Sequence, residues 1–214
     1  MPFLILCLLH ITVQAQQDNS AFVAVEKGQF KVEGKPYYYI GTNFWFGAIL
    51  GSEGRGGNRE RLLKELDLMK QHGIDNLRVL VGAEGPDNIE FRTTPVLQNK
   101  PGIYNDTLLT GLDFLLAEMG KRKMKAILFL NNSWDWSGGL VQYLNWNEYP
   151  NPPVLGEDNG WVKYQAYTTQ FYTCDPCKKQ FQDHIRFIVG RTNQYTKKAY
   201  RDDPAIMSWE IANE

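Results

Sequence analysis

Four short runs with strand character, separated by three segments of helical period, constrain this chain more than any other feature. The runs are Tyr37 to Asn43, Asn76 to Val81, Lys125 to Asn131 and Ala205 to Ile211. Between them, Leu62, Leu66 and Met69 recur at helical spacing. So do Leu108, Leu112, Leu115 and Met119, and then Phe181, Ile185 and Ile188. Asn58 is the expected cap of the first helix, Gly73 its stop, and Asp175 the expected cap of the third. Such alternation predicts a parallel sheet covered by helices. The run Ala126-Ile127-Leu128-Phe129-Leu130 shows no polar alternation, as a strand buried on both faces requires. A small hairpin is expected first, with arms Phe22 to Val25 and Gln29 to Val32 around Gly28, ending at Gly34-Lys35-Pro36.

The connections are unequal. Long, polar segments follow the strands: Gly82 to Thr107, and Ser133 to Cys174, which is dense in Trp, Tyr, Asn and Pro. The segments that follow the helices are mostly short. Function is therefore expected at the C-terminal ends of the strands. Gly51 to Gly57 lacks both common phosphate-binding patterns and reads as a flexible rim loop. An open doubly wound sheet would carry such a fingerprint. A closed (β/α)8 TIM barrel needs twice the strands found here. The expected fold class is α/β: the N-terminal half of a barrel, with its small β-hairpin and exposed sheet edges.

Phe3 to Val13 is an apolar run of signal-peptide length, and Val13-Gln14-Ala15 fits a cleavage site. Residues 1–15 are expected to be removed, leaving one domain over residues 16–214; the competing reading is a buried N-terminal strand. Lys and Arg total 23 against 24 Asp and Glu, giving a net charge of −1. A basic excess of the kind nucleic-acid binders carry is missing, and no later stretch has the length and apolarity of a membrane span. Export favours oxidised cysteines. Cys174-Asp-Pro-Cys177 reads as a short structural disulfide before a helix, or as a thiol-redox motif, since a helix N-terminus lowers a thiol's pKa. Zinc is not expected, because neither His72 nor His184 has ligand spacing with the cysteines.

The strand ends carry polar chemistry: Arg78 in the second, Asn131-Asn132-Ser133-Trp134 after the third, Asn213-Glu214 after the fourth. A guanidinium holds a carboxylate in fixed geometry, and Asn offers both donor and acceptor to a hydroxyl. A carboxyl in apolar or anionic surroundings keeps its proton and acts as a general acid. Each has a plainer reading: an interior ion pair for Arg78, a loop cap for Asn131, a solvated carboxylate for Glu214. Period-two alternation also places Glu210 on the face of Glu214 unless a bulge intervenes.

Five segments carry a resemblance: Gly41-Thr-Asn-Phe-Trp-Phe-Gly47, Asn76-Leu-Arg-Val79, Tyr104-Asn-Asp-Thr107, Asn131-Asn-Ser-Trp-Asp-Trp-Ser-Gly-Gly139 and Ile206-Met-Ser-Trp-Glu-Ile-Ala-Asn-Glu214. Together they resemble glycoside hydrolase family 5, and within it the endo-β-1,4-mannanases, from about Phe22 to Glu214. The resemblance implies a (β/α)8 barrel and hydrolysis with retention. It makes Glu214 the acid/base, Asn213 the partner of the sugar 2-hydroxyl, and Arg78 the group that orients the nucleophile. It places Trp45, Asn131 and Trp134 in the sugar cleft, and some mannanases match the Cys174 and Cys177 pair as a disulfide. The family nucleophile is a Glu on the seventh strand, beyond this sequence. The 214-residue chain alone is thus expected to be inactive, and the full-length protein a secreted, extracellular monomer acting on β-mannan polysaccharide or oligosaccharide. No metal or organic cofactor is required. Three competitors differ in chemistry: a non-catalytic carbohydrate-binding relative, a β-1,4-glucanase of the same family, and a secreted thiol oxidoreductase.

Overall fold

A computed structural model describes residues 22–154 and 156–213. The expected signal segment and Glu214 lie outside the described residues. The chain opens with β1 (Val23–Glu26), β2 (Gln29–Val32) and β3 (Lys35–Pro36), an antiparallel three-stranded sheet. The third strand extends the expected hairpin at the place where Gly34-Lys35-Pro36 was read as its end.

The main sheet has the order β4 (Ile40–Asn43), β5 (Ile74–Leu80), β8 (Lys125–Phe129) and β9 (Ile206–Glu210), all parallel. The small antiparallel pair β6 (Gln98–Lys100) and β7 (Ile103–Tyr104) sits in the connection after β5. Sequence order equals spatial order, with helices α2 (Arg59–Gln71), α3 (Asp106–Lys121) and α6 (Asp175–Gly190) as the crossovers. β4 is shorter than the expected Tyr37 to Asn43. The backbone N–H of Tyr37 donates to Phe30 O at 2.8 Å, which ties that stretch to the hairpin instead.

The crossover helices follow their sequence signals closely. Asn58 caps α2 by accepting from the Arg61 N–H at 2.9 Å, and Asn105 caps α3 from Thr107 and Leu108. At α6 the cap is Cys174, whose sulfur accepts from the Cys177 N–H, while Asp175 is the first helical residue. The expectation of Asp175 as cap is off by one because Pro176 fits the first turn, where its missing N–H costs nothing. Leu62 and Leu66, Leu112 and Leu115, and Ile188 pack with Leu77, Val79, Ala126 and Leu128 of the sheet in one core.

Two expectations for the loops need correction. Gly51 and Ser52 are buried, so the glycine-rich segment starts inside the structure rather than as a free rim. The short helix α1 (Gly47–Leu50) lies against α3, and a Cβ on Gly51 would stand 2.4 Å from Gly111 O. The connection after β8 is not irregular throughout. It contains α4 (Gly139–Trp146) and α5 (Gly160–Thr168), with a 3-10 turn at Asp135–Ser137 before them.

One buried charge fastens the third crossover to the second. Asp113 of α3 is fully buried and accepts from Arg191 at 3.0 and 2.7 Å and from the Tyr200 hydroxyl at 2.6 Å. Removing one partner strands the other's charge, the costly way to break such a pair. Asp113→Ala is therefore expected to destabilise the fold by about 3 kcal/mol, read as a lowered urea midpoint. A change below about 0.5 kcal/mol, the range of ordinary surface substitutions, would show that the cluster is not needed.

Candidate active site

The C-terminal ends of β5, β8 and β9 converge on one cluster. Arg78 lies on β5 and Glu210 at the end of β9, with β8 between them. The Arg78 guanidinium crosses that strand 4.2 Å above the centre of the Phe129 ring. Nε donates to Glu210 Oε2 at 2.8 Å, and Nη2 bonds the same oxygen. Nη2 also donates to Asn213 Oδ1 at 3.1 Å. The ring face beneath the cation and the shared carboxylate hold the guanidinium plane in place.

Asn213 is fixed from a second side. Its backbone N–H donates to Asn131 O at 2.9 Å, its Nδ2 to Asn132 Oδ1 at 3.1 Å, and its carbonyl accepts from Ser133 N at 2.9 Å. Asn132 in turn accepts from Trp134 N at 3.1 Å and donates to Ser137 Oγ at 3.2 Å.

Asn131 is fully buried, its Oδ1 accepts from the Asn132 N–H, its carbonyl supports Asn213, and its Nδ2 has no hydrogen-bond partner. Trp45 is 39% exposed and meets Trp136 edge to face at 5.6 Å. Trp134 is partly buried and stacks on Tyr164 at 5.5 Å. Arg78 and Asn213 come together as a unit; Trp45 and Trp134 stand on either side of the Asp135–Ser137 turn.

Cys174 and Cys177 are joined by a disulfide with Cα atoms 5.3 Å apart, and both are buried. Buried sulfurs give a thiol-exchange partner no access, which leaves the redox reading without a surface to act on. No group of three or more His, Cys, Asp or Glu side chains able to hold a metal occurs among the described residues.

Glu84 was not marked by any sequence pattern, and it lies under the site. It follows β5 and is fully buried. Its Oε2 accepts from Gly139 N at 3.0 Å, and its N–H donates to Ser137 O at 2.8 Å. Oε1 has no hydrogen-bond partner. At Gly138, which has φ +89°, a Cβ would stand 2.1 Å from Glu84 O. The two loops thus touch backbone to backbone, and the Trp134–Gly139 segment rests on Glu84. Burial pushes the Glu84 carboxyl up to about 8, opposed by the Gly139 N–H and by the Arg92 charge. Tyr104 and Tyr143 also face it, and both phenols are raised, chiefly by burial. His184 lies next to Tyr104, with Nδ1 to the Tyr104 hydroxyl at 3.2 Å and Nε2 to Val81 O at 3.0 Å. Burial lowers it to about 4, so the fold holds it neutral.

Polar side chains gathered at the C-terminal ends of parallel strands covered by helices are the arrangement of βα-barrel enzymes. A family model described as GH family 5 beta-mannosidase-like matches residues 20–214, and the chain belongs to this family. It is 32% identical to mannan endo-1,4-beta-mannosidase 1 of Solanum lycopersicum over 197 residues, covering 92% of this chain and 44% of that one. A glycoside hydrolase family 5 mannosidase from Rhizomucor miehei superposes with a TM-score of 0.86 at 37% identity, covering 91% of this chain and 49% of the other. The endo-1,4-beta-mannanase from the same organism gives a TM-score of 0.69 at 26% identity, covering 90% and 48%. The chain spans under half the length of these relatives. Its sheet supplies four consecutive strands of a (β/α)8 barrel, joined by three crossover helices.

The two buried groups set a pH window. A raised carboxyl stabilises the fold fully below its unfolded value near 4.5, and that contribution is lost as pH rises toward about 8. A lowered His contributes above its unfolded value near 6.5 and is lost as pH falls toward about 4. Glu84→Gln should therefore flatten the decline in stability between about pH 5 and 8, while leaving the acid limb unchanged. Thermal unfolding across pH tests this, and an unaltered neutral-to-alkaline limb in the variant would refute the assignment.

Proposed function

We propose that the protein hydrolyses β-1,4-mannosidic linkages in mannan-type polysaccharides, with retention of configuration and with Glu214 as acid/base. The observation that carries this reading is the triple fixation of Asn213 by Arg78, Asn131 and Asn132 immediately before Glu214. The mannan endo-1,4-beta-mannosidases and the mannosidase named above support the substrate class.

Retention needs two carboxyls about 5–5.5 Å apart, one to protonate the leaving oxygen and one to attack the anomeric carbon. In this reading Glu214 protonates the glycosidic oxygen and later takes a proton from water. Asn213 addresses the 2-hydroxyl, and Arg78 orients the second carboxylate. Among the described residues Glu210 is the carboxylate that Arg78 holds. The nucleophile is assigned, as the family resemblance implies, to a seventh-strand Glu beyond residues 1–214. These residues alone are expected to give no turnover, and measurable hydrolysis by them would refute that assignment. No step calls for a metal or an organic cofactor. Among the described residues no helix is long and apolar enough to cross a membrane. Secretion as a monomer, after loss of residues 1–15, completes the proposal.

The test uses the full-length protein on mannan and on carboxymethyl-cellulose. Hydrolysis of mannan is expected, with the β-anomer appearing first in the proton NMR spectrum. Glu214→Gln should lower kcat by roughly 10²- to 10⁴-fold. An α-anomer product would exclude retention, and preference for the cellulose derivative would move the substrate to β-glucan. Binding of mannan with no hydrolysis by the full-length protein would favour the carbohydrate-binding alternative.

A further inference from the structure

One fully buried carboxyl has no part in the proposed chemistry. Glu84 is enclosed by backbone at both ends of its side chain. A Cβ on Gly82 would stand 3.0 Å from Oε1, and Gly139 N donates to Oε2 at 3.0 Å. Its own backbone bridges to Gln98 and receives no side chain from Gly138, which packs on its carbonyl. Oε1 has no hydrogen-bond partner. The bond to Gly139 is the first link of a short route to the candidate site. The next N–H, that of Leu140, donates to Asn132 O at 2.9 Å. A Cβ on Gly139 would stand 2.2 Å from the same oxygen, so Gly139 and Asn132 touch directly. Asn132 Oδ1 in turn accepts from Asn213 Nδ2 at 3.1 Å. Glu84 thus sets Gly139, Gly139 sets Asn132, and Asn132 sets Asn213.

The surroundings of Glu84 hold little charge to stabilise its anion. Arg92 acts on it from the loop after β5, but Arg92 also bonds Gln142 at 3.0 Å and stands 3.6 Å from Asp135. Tyr104 of β7 and Tyr143 of α4 face it with phenols that burial keeps protonated. From α6, His184 meets Tyr104, and the charge of Asp183 acts on Tyr104. Gln98 of β6 is uncharged and accepts from the Tyr143 hydroxyl at 3.3 Å. Resting on the function proposed above, we propose that Glu84 is a positioning residue for Asn213, acting through the Asn132–Gly139 turn and not through contact with substrate. Burial pushes the carboxyl up to about 8, so it keeps its proton at neutral pH and gives it up in mildly alkaline solution. Ionisation places a charge on an oxygen that has no donor, and the packing over it must open to relieve that charge. The turn then loosens, and Asn213 loses one of its supports.

The experiment uses the full-length protein, unmodified and as Glu84→Gln, which keeps an acceptor for Gly139 N and does not ionise. Tryptophan fluorescence without sugar is followed from about pH 6 to 9.5, because Trp134 and Trp136 lie in the turn. A step with its midpoint at about 8 is expected in the unmodified protein and not in Glu84→Gln. A step kept in Glu84→Gln, or missing from the unmodified protein, overturns the proposal. The second readout is the Kd for β-1,4-mannohexaose by calorimetry in the Glu214→Gln background, where the proposed acid/base no longer titrates. Kd is expected to rise roughly fivefold between about pH 6.5 and 9, and adding Glu84→Gln should abolish the rise. A Kd that is independent of pH, or that rises equally with Glu84→Gln, would mean that the turn does not reach the sugar site and overturns the positioning role. If the unmodified protein binds mannohexaose but hydrolyses no mannan, the proposed function fails while these two readouts still decide the role of Glu84. If it does not bind the sugar either, the fluorescence step alone decides it.

Discussion

The bond that the site depends on is the one Arg78 makes across β8. In a parallel sheet, strands two positions apart share no backbone hydrogen bonds, so β5 and β9 are coupled here by a side chain. Both ends of the pair keep about a quarter to a third of their side-chain surface, which spares much of the desolvation that makes fully buried pairs expensive. The Phe129 face beneath the guanidinium adds attraction without adding a competing acceptor. Nη2, which bonds Glu210, also reaches Asn213, so the same cation sets both the spacing of the strand ends and the direction of the chain leaving β9.

That chain is also held from below. Asn131 and Asn132 are both fully buried, and they serve Asn213 through a main-chain carbonyl and a side-chain carbonyl. Under them the Trp134–Gly139 segment rests on Glu84 by contacts too close to admit a side chain at Gly138. Glu84 Oε1 and Asn131 Nδ2 are left without partners, but the hydrogen bonds that are made leave the base few alternative arrangements. Loops on such a base behave as extensions of the sheet, which is what positioned groups require.

The parts of this architecture legible in sequence are those with local causes. α2 and α3 have an Asn cap, an apolar stripe and a defined end, and each ingredient lies within a few residues of the next. The four strands were visible as apolar runs, although β4 lost its first three residues to a hydrogen bond with the hairpin. α4 and α5 were hidden because Asn, Pro and Trp dominate their surroundings and because the buried tyrosines of α5 form no leucine stripe: Tyr164 stacks on Trp134, and the Tyr167 hydroxyl donates to Pro150 O. The partner of Arg78 stands 132 residues away, and the support of Glu84 for Gly139 spans 55. Neither pairing has a local signature. The bond from the Asn213 N–H to Asn131 O also joins residues far apart in sequence, and spacing alone could not show it.

The segment Trp134-Asp135-Trp136 shows how one short turn serves two directions. The 3-10 turn that starts at Asp135 sends Trp136 to Trp45, on the β4 side, and leaves Trp134 against α5. Had the strand continued past β8, Trp134 and Trp136 would share one face by period two. The turn separates them instead, and the Arg92 contacts to Asp135 and Gln142 fix its orientation. Four of the six tryptophans, Trp45, Trp134, Trp136 and Trp161, thus stand in two corners joined by a single rigid turn.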